Sequence, residues 1–446
     1  MTELIADLHL HSKYSRAVSP QMVIPGIAQW AKRKGIGLVA APDWTHPLFL
    51  RELKEELREA GEGVYVWKGD SAGLPAGRQG PKFILVTEIA SIFSQNGKGR
   101  RIHTLIFAPD FATADKICEK LRGRGANLFS DGRPITGIPV KDLAEMVFSV
   151  SANCLVVPSH LWTPWFGTYG DKGGFDSLKE AYGDLAENIY AIETGHSSDP
   201  AMNWRIEELD SRAILSFSDA HSPAKMSREA TVFNLKSKIE NLKFKDIANA
   251  IKNQQIAYTI EFYPEEGKYH FTGQRKCGIS QSPAQTKKLG ETCPVCGRPL
   301  TVGVMHRVEE LATRTAEEVK IKEVTIGNGV KGVGWNQRPP YVRLVPLMEI
   351  LAESLKTGFA SKSVLNEYNK LTDNFGSEIQ VLLQTPITEI AKIAGERTAE
   401  GIKKVREGKI VVEPGYDGVF GTVKIWPFDS QGLSQGKPVK EQLGLF

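Results

Sequence analysis

The 446 residues are 41% apolar and 24% charged, which is the balance of a globular chain too long for one ordinary domain. No run of about 18 apolar residues occurs, and MTELIADLHLHS opens without a basic stretch and apolar core, so the sequence argues against a membrane span and a secretory leader. The net charge of +4 is uneven: residues 271–345 hold 12 Lys/Arg against 6 Asp/Glu, a basic segment that suits an anionic polymer or, more simply, a solvated face.

In chain order, residues 1–262 alternate short apolar runs with amphipathic stretches. ELIADLHLH, IGLVAAPD, KFILVTEIA, RIHTLIFAP, NCLVVPSH, NIYAIETG and AILSFSDAH read as buried strands, with GIAQWAKRKG and LFLRELKEELREAG as helices between them. This alternation predicts a parallel sheet or barrel with its chemistry at the strand ends. Two loops stand out: the Gly/Pro-rich 69–81 and the aromatic 162–175, WTPWFGTYGDKGGF. Residues 263–305 carry three of the five cysteines and little core. Residues 306–425 read as helices with short strands, and 426–446 as a polar tail. Cys118 and Cys154 lie in apolar stretches and read as small buried hydrophobes. Few cysteines in an odd number point to a reducing, cytoplasmic setting.

Alternation of side chains along a strand puts His9 and His11 on one face, where both can bind one ion. Further polar residues stand on or just past the other apolar runs: Asp43, Glu88, His103, His160, and Asp219 with His221. Imidazole and carboxylate together suit zinc, manganese or iron. These motifs, DLHLHS at 7–12, VTEIAS, RIHTLIF, VPSH and SDAHS at 218–222, resemble the polymerase and histidinol phosphatase (PHP) domain family over residues 1–262. The resemblance implies a distorted (β/α)7, TIM-like barrel with two or three divalent ions (Zn, Mn, Fe or Mg). It implies that His9, His11, Glu88 and Asp219 hold one ion, and that Glu88 bridges to a second held by His103 and His160. Asp43 and His221 would hold a third. Where the family often reads Asp-His, this chain reads Asp43-Trp44-Thr45-His46, so His46 either substitutes as a ligand or lines the site. Glu88 and Asp219 are the expected catalytic pair, with hydroxide formed on the metals as the nucleophile. Lys13, Arg16 and His196 are candidate phosphate contacts or ordinary polar residues.

Cys293-Pro-Val-Cys296-Gly is a zinc-knuckle turn, with Cys277 as a third thiolate. His270 is the expected fourth ligand of a structural zinc, with His306 as the alternative. A PHP barrel followed by this knuckle resembles the endonuclease Q family through DLHLHSKYSRAVS, SHLWTPW, SDAHSP, GKYHFTG, and CPVCG followed by HRVEELA. Members of that family can carry Cys-x-x-Cys as the first knuckle, whereas this chain reads Gln274-Arg275-Lys276-Cys277. The resemblance implies a DNA repair endonuclease cutting 5′ to deaminated bases (uracil, hypoxanthine, xanthine) or abasic sites. It also implies an order of domains: a barrel at 1–262, a zinc-binding domain at 263–305, a mainly helical DNA-binding domain at 306–425 and a flexible tail at 426–446.

A damaged-DNA partner agrees with Trp162, Trp165, Phe166 and Tyr169 as base-stacking candidates, though they equally suit a roof over the barrel core. Arg122, Arg124 and Arg133 are candidate phosphate clamps. The last residues, Gln442-Leu443-Gly444-Leu445-Phe446, resemble the QLxLF peptide that docks on the replicative sliding clamp. A small-molecule phosphatase of the histidinol phosphate type is the rival reading. It explains the barrel but not the knuckle, the basic segment or the tail.

Overall fold

The computed structural model describes residues 2–71 and 80–427. The loop at 69–81 is therefore seen only at its ends, and the motif at 442–446 lies outside the described residues. The described residues up to 262 form twelve strands: β1 (Thr2–Asp7), β2 (Leu38–Ala41), β3 (Leu57–Gly61), β4 (Val64–Trp67), β5 (Lys82–Gln95), β6 (Lys98–Ala108), β7 (Ile135–Thr136), β8 (Leu155–Pro158), β9 (Ala191–Glu193), β10 (Ala213–Leu215), β11 (Ala230–Leu235) and β12 (Ile256–Glu261). The expected apolar runs do form buried strands, but the sheet is mixed rather than parallel. β1, β2 and β5 are parallel neighbours; β6 lies antiparallel on β5, and β8 antiparallel on β6. The reversal comes from a two-residue turn at Asn96-Gly97, both in the left-handed region with φ 53° and 74°, which folds β5 back as β6. β9 and β10 pair in parallel as a separate small sheet. The chain after β10 returns to the chain after β1 through a parallel bridge between Leu10 and Ala220.

Two short strands, β13 (Thr272–Gln274) and β14 (Ile279–Gln281), form a hairpin in the cysteine segment. The main sheet does not stop at residue 262. β15 (Lys322–Ile326), β16 (Val330–Trp335) and β17 (Arg338–Arg343) extend it, with β17 pairing in parallel with β12. The mainly helical region expected at 306–425 thus carries, after the helix Val304–Leu311, three strands of the central sheet. Five helices between Leu347 and Arg406 follow and pack on the outer face of β11 and β12. Leu347, Leu351, Val364, Leu371 and Ile402 share that second core with Val232 and Ile260. A buried ion pair, Lys34 Nζ to Glu378 Oε2 at 2.7 Å, ties the first helix, Ile24–Lys34, to this layer. Among the described residues, no helix is long and apolar enough to cross a membrane.

Candidate metal centre and nucleic-acid interface

β1 delivers His9 and His11 just past its end, while Leu8 and Leu10 point into the core. The His9 ring is fixed by Glu193, which accepts from Nδ1 at 2.8 Å. Its Nε2 is thereby aimed at Glu88 Oε1 (3.4 Å) and Asp219 Oδ1 (3.5 Å). His11 is held the same way. Its Nδ1 lies 3.2 Å from Asp43 Oδ1, and its Nε2 faces Asp219 Oδ1 (3.1 Å) and Glu88 Oε2 (3.6 Å). A carboxylate behind each imidazole fixes the tautomer and leaves the far nitrogen as an electron-pair donor.

Glu88 stands in the middle of β5 rather than at its end, and His103 in the middle of β6. Glu88 Oε1 also faces His103 Nδ1 (3.2 Å) and His160 Nε2 (3.3 Å), so this carboxylate joins two ligand groups. One is His9, His11 and Asp219; the other is Glu88, His103 and His160. His9 Nε2, His11 Nε2, Glu88 Oε1 and Asp219 Oδ1 are buried without a hydrogen-bond partner. Desolvated donors converging in this way are costly unless a cation sits among them. The donor set therefore fits divalent metal. The charges agree. Burial alone would lower the pKa of His11, but Asp43 and Asp219 push it up to about 9. Burial would raise that of Glu88, but His103 and His9 hold it well below the usual carboxylate range. The same field favours a divalent cation. Asp43, His160 and Asp219 adopt left-handed backbone (φ 46°, 28° and 45°), a strain of about 1–3 kcal/mol each that concentrates at functional sites.

The third expected ion finds no matching cluster among the described residues. Asp43 is already engaged: its Oδ2 accepts from Ser12 N (2.6 Å) and Ser15 Oγ (2.8 Å), and its Oδ1 backs His11. His221 is turned to the Asp219 carbonyl, with Nδ1 at 2.9 Å. His46 stacks on Tyr14 with ring centroids 4.3 Å apart and stands outside both ligand groups. Two residues shape the centre beyond the expected ligands. Glu193 was not anticipated, although it is a polar residue at the end of the AIE strand. Arg133, expected only as a phosphate clamp, places Nη1 3.1 Å from Glu88 Oε2 at the rim.

The aromatic loop divides in two. Trp162 and Tyr169 are fully buried. Trp162 Nε1 donates to Asn203 (2.8 Å) and the Tyr169 hydroxyl to Glu208 (2.6 Å), so both roof the core and cannot stack on a base. Trp165 and Phe166 remain partly exposed. Phe166 lies over the His103 ring at 4.3 Å, and Trp165 meets Tyr269 edge-on at 4.9 Å. Arg122 and Arg124 are exposed around the end of the helix Phe111–Gly123, and Arg122 lines a cleft with Thr45, Arg51 and Lys54. Lys13 is paired with Glu52 (3.0 Å), Arg16 is largely exposed, and His196 is tied through its backbone N–H to Glu229.

A solved endonuclease Q, bound to a 27-mer duplex with an abasic lesion at its active site, shares 33% identity with this chain. The match covers 97% of this chain and 100% of that one, with a TM-score of 0.78. The chain belongs to the endonuclease Q family. PfuEndoQ from Pyrococcus furiosus, a lesion-specific endonuclease, is similar at 33% identity and TM-score 0.78 over 95% of both chains. The uncharacterized YqxK of Bacillus subtilis is 29% identical over 439 residues, 95% of this chain and all of that protein. The uncharacterized MJ0043 of Methanocaldococcus jannaschii is 33% identical over 270 residues, but the chain spans only 31% of its length. Residues 346–409 match the family model of the MJ0043 C-terminal domain.

In the cysteine segment, Cys277, Cys293 and Cys296 come together with their sulfurs within 4.8 Å of one another. Neither expected fourth ligand joins them. His270 is buried against Phe271, and His306 faces Glu291 (3.6 Å) and Glu310 (3.7 Å) in a separate group.

Proposed function

We propose that this chain is a metal-dependent DNA repair endonuclease that hydrolyses the backbone 5′ to an abasic site or a deaminated base such as uracil, hypoxanthine or xanthine. The observation that carries this reading is the double ligand group joined by Glu88, with its buried donor atoms facing one another. Full-length likeness to an endonuclease Q held on an abasic duplex supplies the substrate class. The seven strand segments β1, β2, β5, β6, β8, β9 and β10 are read as the staves of the distorted barrel around this centre.

Divalent metals bound there would supply an activated water and charge stabilisation for in-line attack on phosphorus. The chain's own residues do the rest. His9, His11 and Asp219 would hold one ion, His103 and His160 the other, and Glu88 both. Glu193 and Asp43 hold the two leading imidazoles in register. Arg133 presents a guanidinium at the rim, where charge gathers on the non-bridging oxygens. Trp165 and Phe166, partly exposed beside the centre, are the rings left for a base or for the gap left by one. The terminal Gln442, Leu443, Leu445 and Phe446 are read as a tether to the sliding clamp. Stripping metal with a chelator should abolish cleavage of a uracil- or abasic-site duplex, and manganese should restore it. Release of phosphate from small monoesters with no cleavage of any lesion duplex would favour a phosphatase instead.

A further inference from the structure

The cysteine segment is built from two hairpin tips of the same design. One reads Gln274-Arg275-Lys276-Cys277-Gly278, the other Cys293-Pro294-Val295-Cys296-Gly297. In each, the cysteine precedes a left-handed glycine, with φ 66° at Gly278 and 70° at Gly297. In each, the residue three before the cysteine faces a strand partner five positions on. Gln274 pairs with Ile279, and Cys293 N donates to Arg298 O at 2.8 Å. The two hairpins are zipped side by side through reciprocal bonds between Gly273 and Thr301 (3.0 and 2.9 Å). Gln274 therefore occupies, in the first tip, the place that Cys293 occupies in the second.

Three thiols within 4.8 Å of one another suit a zinc ion, whose closed structural sites take four ligands. The fourth corner falls to Gln274, whose amide oxygen is a hard donor and a poor match for an ion already bound by thiolates. His270 and His306 are placed elsewhere. The tip is also open: Cys296 is exposed and Val295 is 68% exposed. We infer that Cys277, Cys293 and Cys296 hold zinc with the fourth coordination position, beside Gln274, left to an exchangeable solvent ligand that small nitrogen or thiol donors can displace. The site is then a labile one, and the order of residues 272–301 follows zinc supply.

Cobalt substituted into the full-length protein tests this. Thiolate-to-cobalt charge-transfer bands report this site alone, because the barrel ligands are nitrogen and oxygen. Imidazole should shift those bands in the wild type and in Gln274→Ala. Gln274→Cys should strengthen them, lose the imidazole shift, and keep its zinc at chelator levels that strip the wild type. The inference is overturned by absent thiolate bands, by wild-type bands that ignore imidazole, or by a response that appears only in His270→Ala or His306→Ala. The last would put a histidine in the fourth position. If Gln274→Cys does not fold, the wild type and Gln274→Ala still decide.

Discussion

The chain carries two clusters of metal-binding side chains, and they are built in opposite ways. In the histidine–carboxylate cluster the donors are mounted on or beside strands of the sheet and all but Asp219 are buried, and the two leading imidazoles are backed by a carboxylate: Glu193 behind His9, Asp43 behind His11. In the cysteine cluster three donors sit at the tips of two small hairpins, one of them exposed, with glutamine in the fourth place. The difference teaches where rigidity comes from. A core can hold donors in place at the cost of strain, as at His160 and Asp219. A segment with little core takes its order from the ion itself.

Variants can break this contrast, beginning with the largest effect. Glu88→Gln should cut turnover on the order of a thousandfold, since that carboxylate serves both ligand groups and metal stabilisation is worth several kcal/mol. Single-turnover cleavage measures it, with duplex binding expected to persist. Glu193→Ala should weaken barrel metal affinity by roughly 10–100-fold, with activity recovering at high manganese; failure to recover would make Glu193 more than a support. Trp165→Ala should cost about 1 kcal/mol of binding to a lesion duplex, the low end for base stacking, without changing thermal stability. Trp162→Ala should do the reverse, lowering the melting temperature, because that ring is core. Deleting residues 442–446 should leave cleavage of naked DNA unchanged and abolish co-purification with the sliding clamp; a lower melting temperature would mean that the tail is structural.

The sequence exposed the strands and the ligands better than their arrangement. Apolar runs marked the strand that leads into His9 and those that carry Glu88 and His103, because burial on both faces demands them. The sense of those strands was also available: Asn96-Gly97 is a two-residue hairpin signal, and it makes the central sheet mixed where a parallel one was expected. β17 was harder. Its Pro339 and Pro340 argue against a strand, yet it pairs with β12 beyond a long cysteine-bearing excursion. Trp162 and Trp165 are alike in sequence, and only packing separates a core ring from a partly exposed one. Nothing in the spacing showed that Asp43 lies against Nδ1 of His11.

Matched duplexes, undamaged or carrying one abasic site, uracil or hypoxanthine, test the account most directly when incubated with wild type and Asp219→Asn, with and without manganese. The account predicts a single metal-dependent cut 5′ to a lesion by the wild type, none in the undamaged duplex, and none by Asp219→Asn although it still binds. Equal cutting of damaged and undamaged DNA, or normal turnover by Asp219→Asn, would contradict it.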